Sequence, residues 1–403
     1  MRLSFLGTLI LAFFVSLAPA AAEPISVRPG IDTLLEEPDA LVGRRIGLVT
    51  HLAGVTYEGR PTAAALAGIP GIRLAALFAP EHGLDGTHGA GSPVPTIPGR
   101  TPVYSLYGGS FRPTRSMLSR VDVLVIDLQD VGVRPFTYAS TMALVMAAAR
   151  DAGKPVVILD RPNPIAGVVV DGPVLEPQFR SFIGLYPIPM IHGLTLGELA
   201  RLYNDAFGIG ADLTVIPMSG WSRKMDWQDT GLAWINPSPG LTSAETTLSY
   251  GATGTVDGTN LWNGTRTPSR FQVVLAPWLD GPRLAERLNR RNLPGVRFSA
   301  SAIPHPRTGR VWRGVRLHVT DPVTFRPAAT TVQILTAIRD LHPSRLRIDS
   351  PRGRRRSLFD IVWGTKTVRL GILRGESAET IIARWQPSLE RFARLRGSYL
   401  LYR

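Results

Sequence analysis

The sequence predicts an α/β fold: a Rossmann-like, doubly wound and mainly parallel sheet followed by a smaller α+β C-terminal domain. Three observations carry the prediction. "VDVLVIDLQD" (121–130) and "KPVVILDRP" (154–162) hold continuous, β-branched apolar runs, the pattern of strands covered on both faces. The segment between them reads as a helix from about Thr137 to Ala152 closed by Gly153, which makes a strand–helix–strand unit with a right-handed crossover. From Phe271 the rhythm changes to a strand, a helix, two strands and further helices.

The elements follow in order. Residues 1–22 combine Arg2, a mostly apolar run from Leu3 to Leu17 and the small-residue stretch Ala18-Pro19-Ala20-Ala21-Ala22, the layout of an export signal. The apolar run falls short of the ~20 residues of a membrane span, and no later segment of that length lacks charges. A soluble periplasmic or secreted chain with no integral membrane segment is expected after signal removal. "RRIGLVT", "IRLAALFAP" and "TPVYSLY" read as the first strands, and "ADLTVIPM" as the last of the sheet. In "IHGLTLGELARLYN", Thr195 and Glu198 stand at capping-box spacing ahead of an amphipathic helix, which makes Glu198 structural. Residues 218–270 carry much Gly, Pro, Ser, Thr and Asn with little periodicity, and so long an irregular stretch is tolerated chiefly where it builds a site. Beyond it come strand "FQVVLAP", helix "GPRLAERLNRR", strands "VRFSASAI" and "RGVRLHVTD", helix "PAATTVQILTAIRDLH" and a final helix "AETIIARWQPSLERFARLR". The expected division is a Rossmann-like catalytic domain over 23–252 and a C-terminal α+β domain over 253–403.

Composition narrows the chemistry. The chain has no cysteine, which excludes disulfides and thiolate–zinc sites. A net charge of +14, mostly from arginine, favours anionic partners such as envelope polymers. The densest basic run, "PRGRRRS" (351–357), has no interleaved aromatics and no nucleic-acid motif beside it, so nucleic acid is not expected as a partner. No Gly-x-Gly-x-x-Gly, phosphate-loop lysine or nucleophile elbow follows a strand, so neither a nucleotide cofactor nor serine hydrolysis is predicted.

In open α/β sheets ligands bind beyond the carboxyl ends of the strands, and the polar residues gather there. Glu81 in "FAPEHG", Asp127 to Asp130 in "IDLQD" and Asp160 to Asn163 in "LDRPN" each follow a strand end. Pro80 and the His82-Gly83 turn hold Glu81 at a loop tip, which suits either an acid catalyst or a capping carboxylate. His82, Asp85 and His88 lie within reach of a shared metal, but glycines break the spacing and no metal site is expected. Asp130, Arg134 and Tyr138 open a helix, where Arg134 could bind a carboxylate bidentately or pair with Asp127 or Asp130. Asp160 and Arg161 could pair with one another. His192, just before the capped helix, is free to face the cleft.

"FAPEHGLDG", "DLQDVGVRPFTY", "LDRPNPIAG", "VDGPVLEPQFRSFIGLYPIPMIHGLTLGELA" and "PSPGLTSAETTLSYGATG" resemble the motifs of the exo-β-N-acetylmuramidase family, NamZ, in matching order. The resemblance runs from about residue 44 to the C-terminus and is densest before residue 260. It implies a Rossmann-like domain and a second domain with a cleft between them, no cofactor, and release of N-acetylmuramic acid from the non-reducing end of peptidoglycan-derived glycans. It further implies Glu81 as the acid/base, with His82, Arg134, Tyr138, Asn163, His192 and Glu245 at matching motif positions. Arg134 would then suit the lactyl carboxylate of muramic acid. Where the family commonly reads "FEGTNLSEGRGT", this chain reads "VDGTNLWNGTRT", so Asp257 replaces one glutamate, Asn263 a second, and Asn260 is kept. Ile191 stands where the family often has Arg. Glycoside hydrolysis takes two carboxyl groups, or one and the substrate's acetamide. The sequence leaves Asp130, Glu245 and Asp257 as candidates for the second, and a non-catalytic glycan-binding protein as the alternative.

Overall fold

A computed structural model of the chain describes residues 26–350 and 356–403; the expected export signal and most of the arginine run lie outside the described residues. The first half runs α1 (Gly30–Glu36), β1 (Arg45–Thr50), α2 (Thr62–Ala67), β2 (Arg73–Ala79), β3 (Val103–Ser105), α3 (Arg115–Leu118), β4 (Val123–Asp127), α4 (Tyr138–Asp151), β5 (Val156–Leu159), α5 (Leu196–Asp205) and β6 (Leu213–Ile216). The second runs α6 (Ala244–Thr253), β7 (Val273–Ala276), α7 (Gly281–Arg290), β8 (Val296–Pro304), β9 (Val311–Val319), α8 (Pro327–Leu341), α9 (Leu358–Trp363), α10 (Thr367–Leu373), α11 (Ala378–Ala383) and α12 (Gln386–Gly397).

The six strands of the first half pair in the order β3-β2-β1-β4-β5-β6, all parallel. This is the doubly wound order of dinucleotide-binding domains, and its direction of winding reverses between β1 and β4, where a crevice opens at the carboxyl edge. β4 and β5 are buried at every position, as their unbroken apolar sequences require. β7, β9 and β8 form a separate antiparallel sheet.

α8 joins the two halves. Ala328, Val332 and Leu335 belong to the large core beneath the parallel sheet, whereas Ile334, Ala337 and Ile338 belong to the core of the small sheet. Spacings of three and four residues within each set give the helix two apolar faces, so it is buried on both sides. The helices α9 to α12 contribute Phe359, Trp363, Trp385 and Phe392 to the larger core.

Two expectations need correction. The stretch 218–270 is not irregular throughout: it contains α6, whose Ser243 side chain caps the helix by accepting from the Thr246 N–H. The final helix is two, because Pro387 cannot donate to the carbonyl four residues back and the chain restarts after the buried Trp385.

Polar nodes then lock the first half. The capping box at Thr195 and Glu198 forms as expected, and Glu198 also takes the Arg223 guanidinium at 2.6 Å and the Leu401 N–H at 2.8 Å. Asp160 accepts from the N–H groups of Arg161 and Gly197 and from the hydroxyls of Thr195 and Tyr402, the last at 2.7 Å. Gly197 is required there, since a Cβ would stand 2.7 Å from the Asp160 carboxyl carbon. Removing Arg223 strands a buried carboxylate, so Arg223→Met should cost about 3–5 kcal/mol in urea unfolding at neutral pH. A loss below ~1 kcal/mol would show that the pair does not hold this region.

Candidate active site

The carboxyl ends of β1, β2, β3 and β4 deliver His51, Glu81, Tyr107 and the Asp127–Asp130 loop to one edge of the sheet. His82 and Gly83 both adopt left-handed backbone, with φ of 74° and 79°, so the chain reverses just after β2 and turns the Glu81 side chain inward. The loop that follows folds back on it. The Gly91 N–H donates to Glu81 Oε1 at 2.8 Å and His82 Nδ1 donates to the His88 carbonyl at 2.8 Å. Asp85 accepts from Thr87 within the same loop. The described residues contain no group of three or more His, Cys, Asp or Glu side chains that could hold a metal ion.

Glu81 is buried, and its other oxygen takes the Thr137 hydroxyl at 2.8 Å. Tyr107 leaves the end of β3 beside it; burial, and then the Glu81 charge, push that phenol up to about 12. One of the two partners is a hydroxyl, which can turn from donor to acceptor when a carboxyl takes up a proton.

Tyr138 lies beneath. It donates to the Pro237 carbonyl at 2.8 Å and stands 3.4 Å from His51 Nδ1. His51 Nε2 accepts the Gln129 N–H at 3.0 Å, so the ring proton sits on Nδ1 facing Tyr138. Burial, then the charge on Arg161, push His51 down to about 3, and the ring stays neutral.

Glu81 and Asp130 both bear on Tyr138, and Asp257, Glu81 and Asp130 all bear on Tyr250, whose phenols burial raises further. These are the carboxyl groups the fold brings together. Asp257 is the reachable one: its side chain is exposed, yet the protein around its concavity pushes the carboxyl up to about 6 by desolvation. Asp130 is enclosed. Its Oδ2 accepts the Gly132 N–H at 2.8 Å and lies 3.6 Å from His192 Nε2, while Oδ1 has no partner among the described residues. Glu245 sits exposed in the first turn of α6, five residues before Tyr250 and hence about 140° away round the helix.

Several expected contacts differ. Arg134 meets no carboxylate: it donates to the carbonyls of Pro173, Ile188 and Val362 at 2.9–3.0 Å, and burial lowers it to about 9. Arg161 pairs with Asp127 rather than Asp160, with an Nη2–Oδ2 distance of 2.8 Å, because the two strand ends are neighbours in the sheet. Asn163 is buried, donating to the Leu194 carbonyl and accepting the Ile165 N–H. His192 is fully buried rather than facing an open cleft, its Nδ1 accepting the Leu194 N–H. Asn260 bridges the backbone of Arg345 and Arg347, donating to the one and accepting from the other. Beside the site, nearer β4 and β5, Tyr57, Gln129, Arg161 and Trp227 line a second cleft. His51, Tyr107, Thr137 and Tyr250 are the site residues that motif reading misses, although His51 and Tyr107 follow strands by one and two residues and the strand-end rule reaches both.

A doubly wound parallel sheet that gathers carboxyl groups beyond its carboxyl edge is the layout of a Rossmann-like α/β enzyme. Residues 46–245 match the family model described as exo-beta-N-acetylmuramidase NamZ, N-terminal, and residues 248–402 match its C-terminal counterpart. The chain is 42% identical to the peptidoglycan beta-N-acetylmuramidase NamZ of Bacillus subtilis (strain 168), over 97% of both. Two crystal structures of DUF1343 family proteins from Bacteroides fragilis NCTC 9343 share its fold. One has a TM-score of 0.87 at 34% identity, covering 94% of this chain and 100% of that one. The other has a TM-score of 0.74 at 28% identity, covering 94% and 99%. The chain belongs to the exo-β-N-acetylmuramidase NamZ family.

Asp257 also sets a pH signature. Its folded value of about 6 lies above the about 3.9 of a free aspartate, so the folded state holds the proton more tightly. Asp257 therefore subtracts stability progressively as pH rises through that window, and fully above it. Asp257→Asn should raise the midpoint of thermal unfolding at pH ~7.5 and leave it unchanged at pH ~3.5. Equal shifts at both values would contradict the assignment.

Proposed function

We propose that this chain is an exo-acting glycosidase that releases N-acetylmuramic acid from the non-reducing end of peptidoglycan-derived glycans, with Glu81 as acid/base and Asp257 as the second carboxyl group. The observation that carries this is the Glu81 pocket: a buried carboxyl on a reversed loop, held by one fixed amide and one reversible hydroxyl. Glu81 protonates the glycosidic oxygen as the bond to the sugar breaks. Asp257 is exposed to substrate. On the direct route it takes the proton of the water that attacks the anomeric carbon; on the acetamide route it accepts the acetamide N–H while the acetamide oxygen attacks, and Glu81 then takes the proton of the water that opens the resulting oxazoline ring.

The family supports the reaction class, and the relative in Bacillus subtilis carries the matching name. His82, Tyr138 and Asp130 shape the pocket around Glu81. The contacts of Arg134, Asn163, His192 and Asn260 with backbone groups support positioning roles, and no part in the chemistry is assigned to Glu245. Export by the leader at residues 1–22 and action in the periplasm or outside the cell belong to the same proposal. No helix among the described residues is long and apolar enough to cross a membrane.

Hydrolysis of a MurNAc-GlcNAc disaccharide tests it. Glu81→Gln should lower kcat by about 10²–10⁴-fold with KM little changed. Unchanged turnover would remove Glu81 from the chemistry, and binding without release by the unaltered chain would favour a glycan-binding protein. In the kcat/KM profile a limb near pH 6 should disappear in Asp257→Asn. Proton NMR of the first-formed sugar separates the two routes: inversion marks direct water attack, retention the acetamide route. Activity should survive EDTA.

A further inference from the structure

We propose that Tyr107, Phe111 and Phe182 form a stacking platform for the sugar on the leaving-group side of the scissile bond, an inference that rests on the glycosidase reading. Phe111 and Phe182 pack at 4.4 Å between ring centroids, and Tyr107 stands 5.5 Å from Phe111 and 5.8 Å from Phe182. Such spacings mark one cohesive aromatic surface. It adjoins the catalytic group, because Ala79 and Ser105 are paired at the ends of β2 and β3 and the Leu106 N–H donates to the Ala79 carbonyl at 2.8 Å, so Glu81 and Tyr107 leave neighbouring strand ends two residues further on. It is also open: Phe111, at 39%, is the only exposed aromatic side chain among the described residues.

The rings are held in place before any ligand arrives. Tyr107 follows β3 directly, its carbonyl accepting the Val94 N–H at 2.9 Å and its own N–H donating to Ser105 Oγ at 3.1 Å. Ser110 Oγ bonds the Arg112 carbonyl at 2.7 Å on the far side of Phe111. Ser181 and Gly184 bond each other twice at 3.0 Å and fix the turn that carries Phe182. Preorganised apolar rings beside a few polar groups are the usual make-up of a small-molecule subsite.

The leaving-group side follows from the geometry of exo attack. An enzyme that removes a terminal sugar encloses that sugar, and the remainder of the glycan runs outward past the acid catalyst. An exposed ring surface next to Glu81 meets the outward-running residue, whose apolar C–H face packs on an aromatic ring.

The test compares two substrates: the MurNAc-GlcNAc disaccharide, and the β-fluoride of N-acetylmuramic acid, whose leaving group is too small to stack. Phe111→Ala and Phe182→Ala should each raise KM for the disaccharide about tenfold while kcat stays within about twofold, with the fluoride unaffected. Phe111→Trp should restore KM. Thermal unfolding and circular dichroism confirm that each variant is folded, and the exposed Phe111 makes its variant the decisive one. An unchanged KM for the disaccharide, or equal losses on both substrates, overturns the platform while leaving the glycosidase reading intact. Failure of the unaltered chain to cleave either substrate overturns the glycosidase reading, and the platform with it.

Discussion

The buried pair between Asp127 and Arg161 is the constraint on which the carboxyl edge depends. Asp127 ends β4 and Arg161 follows β5, so the pair ties neighbouring strands at the side of the switch point. Arg161 also donates to the Val55 carbonyl at 2.6 Å, and the Thr62 hydroxyl at the start of α2 donates to Asp127. The loop after β1, the end of β4, the end of β5 and α2 are thus joined through two side chains that are nearly dry. Two charges taken out of water attract strongly only when their remaining hydrogen-bonding positions are filled, as here. The arrangement sets the height of His51 and Gln129, which in turn set Tyr138 and the floor under Glu81.

On that floor the fold places two carboxyl groups in unlike surroundings. Glu81 is buried but supplied with hydrogen bonds, whereas Asp257 is reachable by solvent, has no side-chain hydrogen bond among the described residues, and is raised to about 6 by desolvation. Such asymmetry is how one site runs acid and base steps at one pH. It also separates the roles of the tyrosines. Tyr107 stands at the neighbouring strand end, Tyr138 donates to the Pro237 carbonyl and lies within 3.3 Å of the Glu81 carbonyl, and Tyr250 feels the charge of Asp257 first and then of Glu81.

The sheet was legible because its strands are buried on both faces and write unbroken apolar runs, and strand ends then point to Glu81 and the Asp127–Asp130 loop. Partner choice was not legible. Whether Arg161 meets Asp160 or Asp127 depends on which strand ends are adjacent, and adjacent residues in the chain lose to neighbours in the sheet. Arg134 was misread for a related reason: a guanidinium placed where three carbonyls converge needs no carboxylate, and those carbonyls come from residues 173, 188 and 362. The helix α6 was hidden by composition, since Thr, Ser and Gly in "AETTLSYGAT" blur the period even though the Ser243 cap announces it. α8 concealed its role because two apolar faces on one helix read simply as a buried helix.

The departure at Asn263 takes on a different meaning in three dimensions. Read as sequence, an asparagine in place of a glutamate removes a carboxyl group from the motif around Asp257, and with it a candidate for proton transfer. In the fold Asn263 is 5% exposed, and its side-chain amide nitrogen donates to the Thr253 carbonyl at the end of α6 at 3.3 Å, while its backbone carbonyl accepts the Phe271 N–H at 2.7 Å. An ionised glutamate cannot donate to that carbonyl and would have to bury its charge there. Asparagine at this position therefore belongs to the joint between α6 and β7, which holds Tyr250 against Phe271 at 5.0 Å between ring centroids. The substitution that does bear on chemistry is Asp257: a side chain shorter by one methylene sits further back in its concavity, and the water that thins around it there is what raises its proton affinity.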